Sequence, residues 1–258
     1  MITLLQVEDL ADYTALSSLE PVIGARLHTQ LAVYGTSGGI AGQWIARDSA
    51  GTPTAALLRF SGWMVICAGA GVDIPELADF LQAVGGFRYI EGSPALVRAL
   101  GGFLSGVCDS SCTMCYPGEP PAQTGADVCD DPSLEDVHRL LCTESLAGSA
   151  PWTEWYPHTS HLVRHGLGFA VAIYEDGQAV ATGGVYASGA GYGVIGGLTT
   201  LQAYRSRGYA GRIVRHLCRT CIRRGWTPVL FCAGDSLADY YRTLGFVPLG
   251  HWAQLDLG

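Results

Sequence analysis

The stretch that decides the reading is Leu198-Thr199-Thr200-Leu201-Gln202-Ala203-Tyr204-Arg205-Ser206-Arg207-Gly208-Tyr209-Ala210-Gly211-Arg212, continuing through Ile213 to Arg224. From Ala210 on, apolar residues stand at 210, 213, 214, 217, 218, 221 and 222, an unbroken stripe of helical period. The spacing predicts a helix over Ala210–Arg224, with Arg212, Arg215, Arg219 and Arg223 on its other faces and Gly225 as its stop. Just before it, Gly208 lets the backbone turn and approach a ligand, while Ala210 and Gly211 keep the first turn uncrowded. A helix N-terminus carries unpaired N–H groups and a partial positive charge, so it suits a phosphate. Arg205, Arg207 and Arg212 add the charge a pyrophosphate would need.

That charge runs against the rest of the chain. The protein has 258 residues, 23 acids and 15 basic residues, all of them arginine, for a net charge of −8. Seven of the 15 arginines lie between Arg205 and Arg224, with no acid among them. An acidic protein that gathers its positive charge in this way is expected to hold an anion there. The net acidity argues against a nucleic-acid binder that follows phosphates over its whole surface. A hydrophobic content of 48% excludes intrinsic disorder.

Around the central helix the second half reads in a regular order. Ser133–Leu146 is a helix after the start signals Asp131, Pro132 and Ser133, and Trp152–His165 is aromatic and partly helical. Phe169–Tyr174 and Ala179–Tyr186 form a hairpin about Asp176-Gly177, and Gly193–Thr200 is the next strand. After the helix come a strand at Pro228–Cys232, a helix from Asp235 to Leu244 and a strand or hairpin over Phe246–Leu257. The first half shows strands at Trp44–Arg47, Thr54–Phe60 and Trp63–Ala68, a helix at Asp73–Val84, a strand at Phe87–Glu91 and a helix at Pro94–Leu100. Strand, strand, strand, helix, strand, helix is therefore present twice. The first copy has only Gly69–Val72 where the second has Leu201–Gly211. Between the halves, Ser110–Pro132 carries four prolines and no periodicity, and reads as a linker.

These residues resemble a known family. Arg205-x-x-Gly208-x-Ala210, after a strand and opening a helix, is similar to the acetyl-CoA signature of the GNAT acetyltransferases. Leu198-Thr199-Thr200 matches that family's fourth strand, and Tyr241-x-x-x-Gly245-Phe246 matches its last helix. The match covers about residues 125–258. It departs at Ser206, where glycine is usual, and in having no Asn near Asp235.

The resemblance implies an α/β fold of mixed sheets: two tandem domains, each a central, mostly antiparallel sheet flanked by helices. Residues 1–109 would be a degenerate copy without the cofactor loop, 110–132 the linker, and 133–258 the catalytic domain. Acetyl-CoA would be the cosubstrate, with no metal. Its arm would lie between two splayed strands against N–H groups of Leu198, Thr199 and Thr200, with Gly196 and Gly197 suiting a bulge that opens the gap. Its pyrophosphate would meet Arg205, Ser206, Arg207, Gly208, Tyr209, Ala210, Gly211 and Arg212, while the outer arginines face solvent or the outer phosphate. Tyr241 would protonate the departing thiolate. Tyr240 points to another face of the helix, and the spacing to Gly245-Phe246 selects Tyr241. Glu154 and His158 are the candidates for the base that takes the amine proton. The acceptor would be an amine on a small molecule or peptide. A catalytically silent acyl-CoA-binding regulatory module is the alternative.

Other patterns carry less. Gly191-Tyr192-Gly193-Val194-Ile195-Gly196 has dinucleotide-loop spacing but runs into a strand, not a helix. Cys108, Cys112 and Cys115 have the spacing of an iron–sulfur motif without a barrel pattern to follow, and with Cys129 they match no standard zinc module. Cys218 and Cys221 sit on the apolar stripe and are core. His161 and His165, one turn apart, lack an acid or cysteine to complete a metal site, and Trp152, Trp155 and Tyr156 serve packing or an acceptor pocket. Met1–Tyr13 has no signal-peptide pattern and Thr54–Val72 reads as two strands, so a cytoplasmic protein with reduced thiols and no membrane partner is expected. A homodimer is compatible with this reading.

Overall fold

The protein is described from a computed structural model that covers residues 1–36, 41–122, 127–144 and 150–258. It divides into two units, Met1–Thr113 with Gly250–Gly258, and Met114–Leu249. Both are mixed α/β.

The first unit holds β1 (Ile2–Leu4), α1 (Leu10–Ser17), α2 (Pro21–Tyr34), β2 (Gly42–Arg47), β3 (Pro53–Phe60), β4 (Trp63–Ala68), α3 (Ile74–Val84), β5 (Tyr89–Gly92), α4 (Pro94–Leu100) and most of β6 (Val107–Cys115). Its sheet runs β1-β2-β3-β4-β5, with β4 and β5 parallel and the other pairs antiparallel. Residues 253–256 of β12 (Val247–Asp256) pair antiparallel with β5. Strand side chains alternate between faces. Leu57, Met64, Ile66 and Ile90 pack with Leu77 and Leu81 of α3 and with Leu96, Val97 and Leu100 of α4. On α1, Tyr13 donates to the Leu57 carbonyl at 3.3 Å.

The second unit holds β7 (Val128–Cys129), α5 (Leu134–Glu144), α6 (Trp152–Arg164), β8 (Phe169–Glu175), β9 (Gln178–Gly189), β10 (Tyr192–Thr200), α7 (Tyr209–Arg223), β11 (Thr227–Cys232) and α8 (Asp235–Thr243). Its sheet runs β7-β8-β9-β10-β11, and only β10 and β11 are parallel. The predicted stripe of α7 is its core face: Ile213, Val214, Leu217, Cys218 and Cys221 are all at most 1% exposed. Gly183 of β9 faces that helix, since a Cβ there would meet Leu198, Ile213 and Leu217. On the opposite face Val137 and Leu141 of α5 pack with Ala170 and Trp155.

The structure differs from the sequence reading in three places. The segment read as a linker, 110–132, contains the end of β6 and all of β7. The last nine residues belong with the first unit, so the boundaries differ from 133–258 for the second one. The described residues before Gly42, left unassigned by the sequence patterns, contribute β1, α1 and α2. Helix–helix therefore precedes the strands in both halves, and the repeat is longer than the six elements read from sequence. Trp152–Arg164 is one continuous helix, with Pro157 accommodated inside it. The expected end of the helix before it, at residues 145–146, lies outside the described residues.

Candidate active site

The site begins with a divergence of strands. Parallel pairing between β10 and β11 ends at Ile195–Leu230, yet β10 continues to Thr200 and β11 to Cys232. On its other edge β10 shifts register against β9 between Gly196 and Thr199, placing a bulge at Gly196–Leu198. Gly197 has φ 62, the left-handed region that glycine enters without strain. The gap and bulge that the resemblance implied are therefore present.

Beyond β10 the chain makes a short turn at Gln202–Tyr204 and enters α7 through Gly208, whose φ is 79. No side chain caps α7, and its first turn has no acid. Its leading N–H groups have no partner within the helix and face outward with the positive end of the dipole. In the first unit the equivalent helix α3 is closed to an anion. Asp73 caps it, accepting the Glu76 N–H at 3.0 Å, and Glu76 adds a second carboxylate to the first turn.

The open end of α7 borders a cavity of about 460 Å³, lined by Leu198, Thr199, Thr200, Tyr204, Arg205, Ser206, Gly208, Tyr209, Ala210, Gly211 and Tyr240. Nine of the eleven residues expected at the cofactor thus line one cavity. Arg207 and Arg212 do not. Arg207 donates to the Ala203 carbonyl at 3.2 Å and lies over the Tyr204 ring. Arg212 is ion-paired with Asp127 and lies over Tyr209. Arg205 reaches back to the Thr200 carbonyl at 3.2 Å. Ser206 has φ 63, so the position where the family favours glycine does take a left-handed conformation.

The remaining arginines are engaged elsewhere, with one exception. Arg219 donates to the Pro121 carbonyl, Arg223 to Thr220, and Arg224 lies over Phe169 and Trp226. Arg215 makes no hydrogen bond or ion pair among the described residues. Its Nη1 lies 3.4 Å from where a Cβ on Gly211 would stand, and that point is 3.7 Å from the Tyr240 hydroxyl. Both neighbours line the cavity, so Arg215 is the uncommitted charge at its rim.

Two aromatic residues were missed or ranked low in the sequence. Tyr204 lines the cavity, and so does Tyr240, which is 37% exposed. Tyr241, selected by spacing, is 5% exposed and packs its ring 5.6 Å from Phe246, within electrostatic reach of Cys232 at the end of β11. Burial pushes the Tyr241 hydroxyl well above the ordinary tyrosine range, and burial also raises that of Tyr240. Glu154 is exposed in the first turn of α6 and is not part of the cavity lining.

His161 and His165 stack face to face at 4.2 Å, and His165 also contacts the His161 carbonyl through Nδ1. All nine cysteines are free thiols. Among the described residues no group of three or more His, Cys, Asp or Glu could hold a metal ion, and no helix is long and apolar enough to cross a membrane.

The comparisons with known proteins agree with this geometry. The model of the acetyltransferase (GNAT) family matches residues 134–246. No curated protein matches the chain. A GCN5-related N-acetyltransferase from Kribbella flavida superposes with a TM-score of 0.62 at 21% identity, covering 93% of this chain and 97% of its own. A tandem GNAT protein from the clavulanic acid biosynthesis pathway gives 0.63 at 12% identity, covering 100% of this chain and 98% of that one. An acetyltransferase of the GNAT family from Colwellia psychrerythraea gives 0.59 at 14% identity, with both chains fully covered. At such identities the likeness is one of fold, and it extends over both units. Residues 134–246 are a GNAT acetyltransferase domain, in a chain that has the fold of tandem GNAT proteins.

Proposed function

We propose that this protein transfers an acetyl group from acetyl-CoA to a primary amine of a small molecule or peptide, in the cytoplasm. The observation that carries the reading is the uncapped N-terminus of α7 opening onto the cavity that Leu198–Thr200, Arg205, Ser206 and Gly208–Gly211 line. Acetyl-CoA supplies an activated thioester. The residues here suit the rest of the molecule: backbone N–H groups and an uncommitted Arg215 for phosphates, and a β10 edge that runs on beyond its pairing with β11 for an extended amide arm.

Tyr241 is the proposed proton donor to the departing thiol. Its burial keeps the hydroxyl protonated, as an acid must be, and it sits by the end of β11 where the strands diverge. Tyr240 faces the cavity and is proposed to hold the donor. Glu154 is the proposed base for the amine proton. A second reading, a silent acyl-CoA-binding module, draws on one observation: neither Tyr241 nor Glu154 lines the cavity.

A thiol-release assay with acetyl-CoA against amines, polyamines, amino acids and peptides separates the two. Acetylation of any of them supports the enzyme. CoA binding without turnover supports the silent module, and absence of CoA binding overturns both.

A further inference from the structure

Among the described residues, the hydroxyl of Tyr186 is shut off from solvent and has no hydrogen-bond partner. Such a group has lost its water without replacement, which disfavours the folded state, so its place in the structure calls for a reason. Tyr186 lies on β9, and its ring fills a slot left open by glycines. A Cβ on Gly184 would stand 2.9 Å from the ring's Cζ, and one on Gly197 would stand 2.9 Å from Cε2 and 3.2 Å from the hydroxyl. Gly197 is the left-handed residue of the β10 bulge and directly precedes Leu198 of the cavity. The orphan oxygen therefore sits at the bend where the thioester end of a bound donor would lie.

It approaches that bend from the other side of the sheet. Gly183 faces α7, so its neighbour Gly184 faces the α5 side; Tyr186 is the extra residue where β9 shifts register against Val194-Ile195, and its neighbours place its ring on that same side. Leu141 of α5 lies 3.3 Å from the same Gly197 point, and the Trp155 ring of α6 is 6.5 Å from the Tyr186 ring. Tyr186 does not line the α7 cavity. From Trp155 the aromatic surface continues through Trp152, stacked 4.6 Å from Tyr156, and Trp152 and Tyr156 are each 36% exposed. A run of ring contacts thus joins the exposed Trp152 and Tyr156, through Trp155, to the Tyr186 ring, with the His138 ring packed 5.1 Å from Trp155. Burial holds this phenol well above the ordinary range, so it remains protonated and is not a base.

We propose that Tyr186 is a positioning residue for the acceptor: its oxygen accepts a hydrogen bond from the N–H of a primary amine whose apolar or aromatic stem lies along Trp155, Trp152 and Tyr156. The inference rests on the acetyl-transfer reading above and names its acceptor class. One accepted N–H leaves the nitrogen lone pair free to face the bend, and the aromatic faces attract the ammonium form as it arrives.

The test compares wild type with Tyr186→Phe, using benzylamine and hexylamine as probes and ethanolamine as the polar control. Removing an orphan hydroxyl should raise Tm, leave CoA affinity unchanged by calorimetry, and lower kcat/KM for benzylamine and hexylamine at least tenfold, chiefly through KM. A simply structural tyrosine would not combine higher stability with a selective acceptor defect. Trp152→Ala, at an exposed position, should raise KM for benzylamine more than for ethanolamine. Equal turnover by Tyr186→Phe, a lower Tm, or wild-type preference for ethanolamine overturns the proposal and leaves acetyl transfer standing. CoA binding with no turnover of any amine overturns acetyl transfer, and this proposal with it.

Discussion

The guanidinium of Arg212 is ion-paired with the carboxylate of Asp127, beside the first turn of α7, with both side chains about one-third exposed at 30% and 34%. An arginine placed by spacing to meet a pyrophosphate is thereby neutralised by a residue 85 positions away. Asp127→Asn should release it and tighten CoA binding about two- to fivefold at low salt, in keeping with the small worth of a partly exposed pair. Calorimetry at two ionic strengths checks this; an affinity that does not move would show that Arg212 cannot reach the ligand.

Ser206 holds a left-handed backbone without being glycine. Ser206→Gly should stabilise the protein by about 0.5–1 kcal/mol, since the strain disappears while the chain end of the loop is unchanged. A thermal melt reads the result. A fall in Tm would mean that the serine side chain contributes more than its backbone costs.

The helix that carries the site depends on its packed face. Leu217 is fully buried, and Leu217→Ala should cost about 2–5 kcal/mol in urea unfolding. CoA binding would weaken only as far as the folded fraction falls.

The two adjacent tyrosines should separate kinetically. Tyr241→Phe should lower kcat at least about tenfold with CoA affinity retained, whereas Tyr240→Phe should mainly raise KM for acetyl-CoA. A pH series adds a sign. The folded pKa of Tyr241 lies above its unfolded value of 10.0, so its stabilising contribution is full below pH 10 and is lost as pH rises through the folded value. Tyr241→Phe should therefore lose less stability above pH 10 than wild type. Equal kcat for wild type and Tyr241→Phe would move the acid role elsewhere.

The parts of this structure visible in the sequence are those whose pattern is local. The stripe of α7 and the strands β2–β5 and β8–β11 could be read from spacing, and the family resemblance implied the glycine bulge. The N-terminal helices could not, because α2 buries Val22, Ile23, Gly24, Ala25, Leu27, Thr29 and Gln30 on several faces and so leaves no stripe. β6 has a strand's backbone with a loop's composition, and four of its first residues are exposed. At the site, nine of the eleven residues expected at the cofactor line one cavity. Spacing could not show that Arg212 is matched by Asp127, that Arg215 is the uncommitted arginine, or that the rotation of α8 turns Tyr240 to the cavity. Those depend on partners distant in the chain.

Acetyl-CoA is proposed to bind one unit of the two, at the open N-terminus of α7. Titration calorimetry of CoA into the full chain, beside Gly208→Val, tests it most directly. One site per chain is expected, because Asp73 and Glu76 close the equivalent helix of the first unit. That site should be lost in Gly208→Val, where a β-branched residue would have to hold a φ of 79. No binding by wild type, two sites per chain, or undiminished binding by a folded Gly208→Val would contradict the proposal.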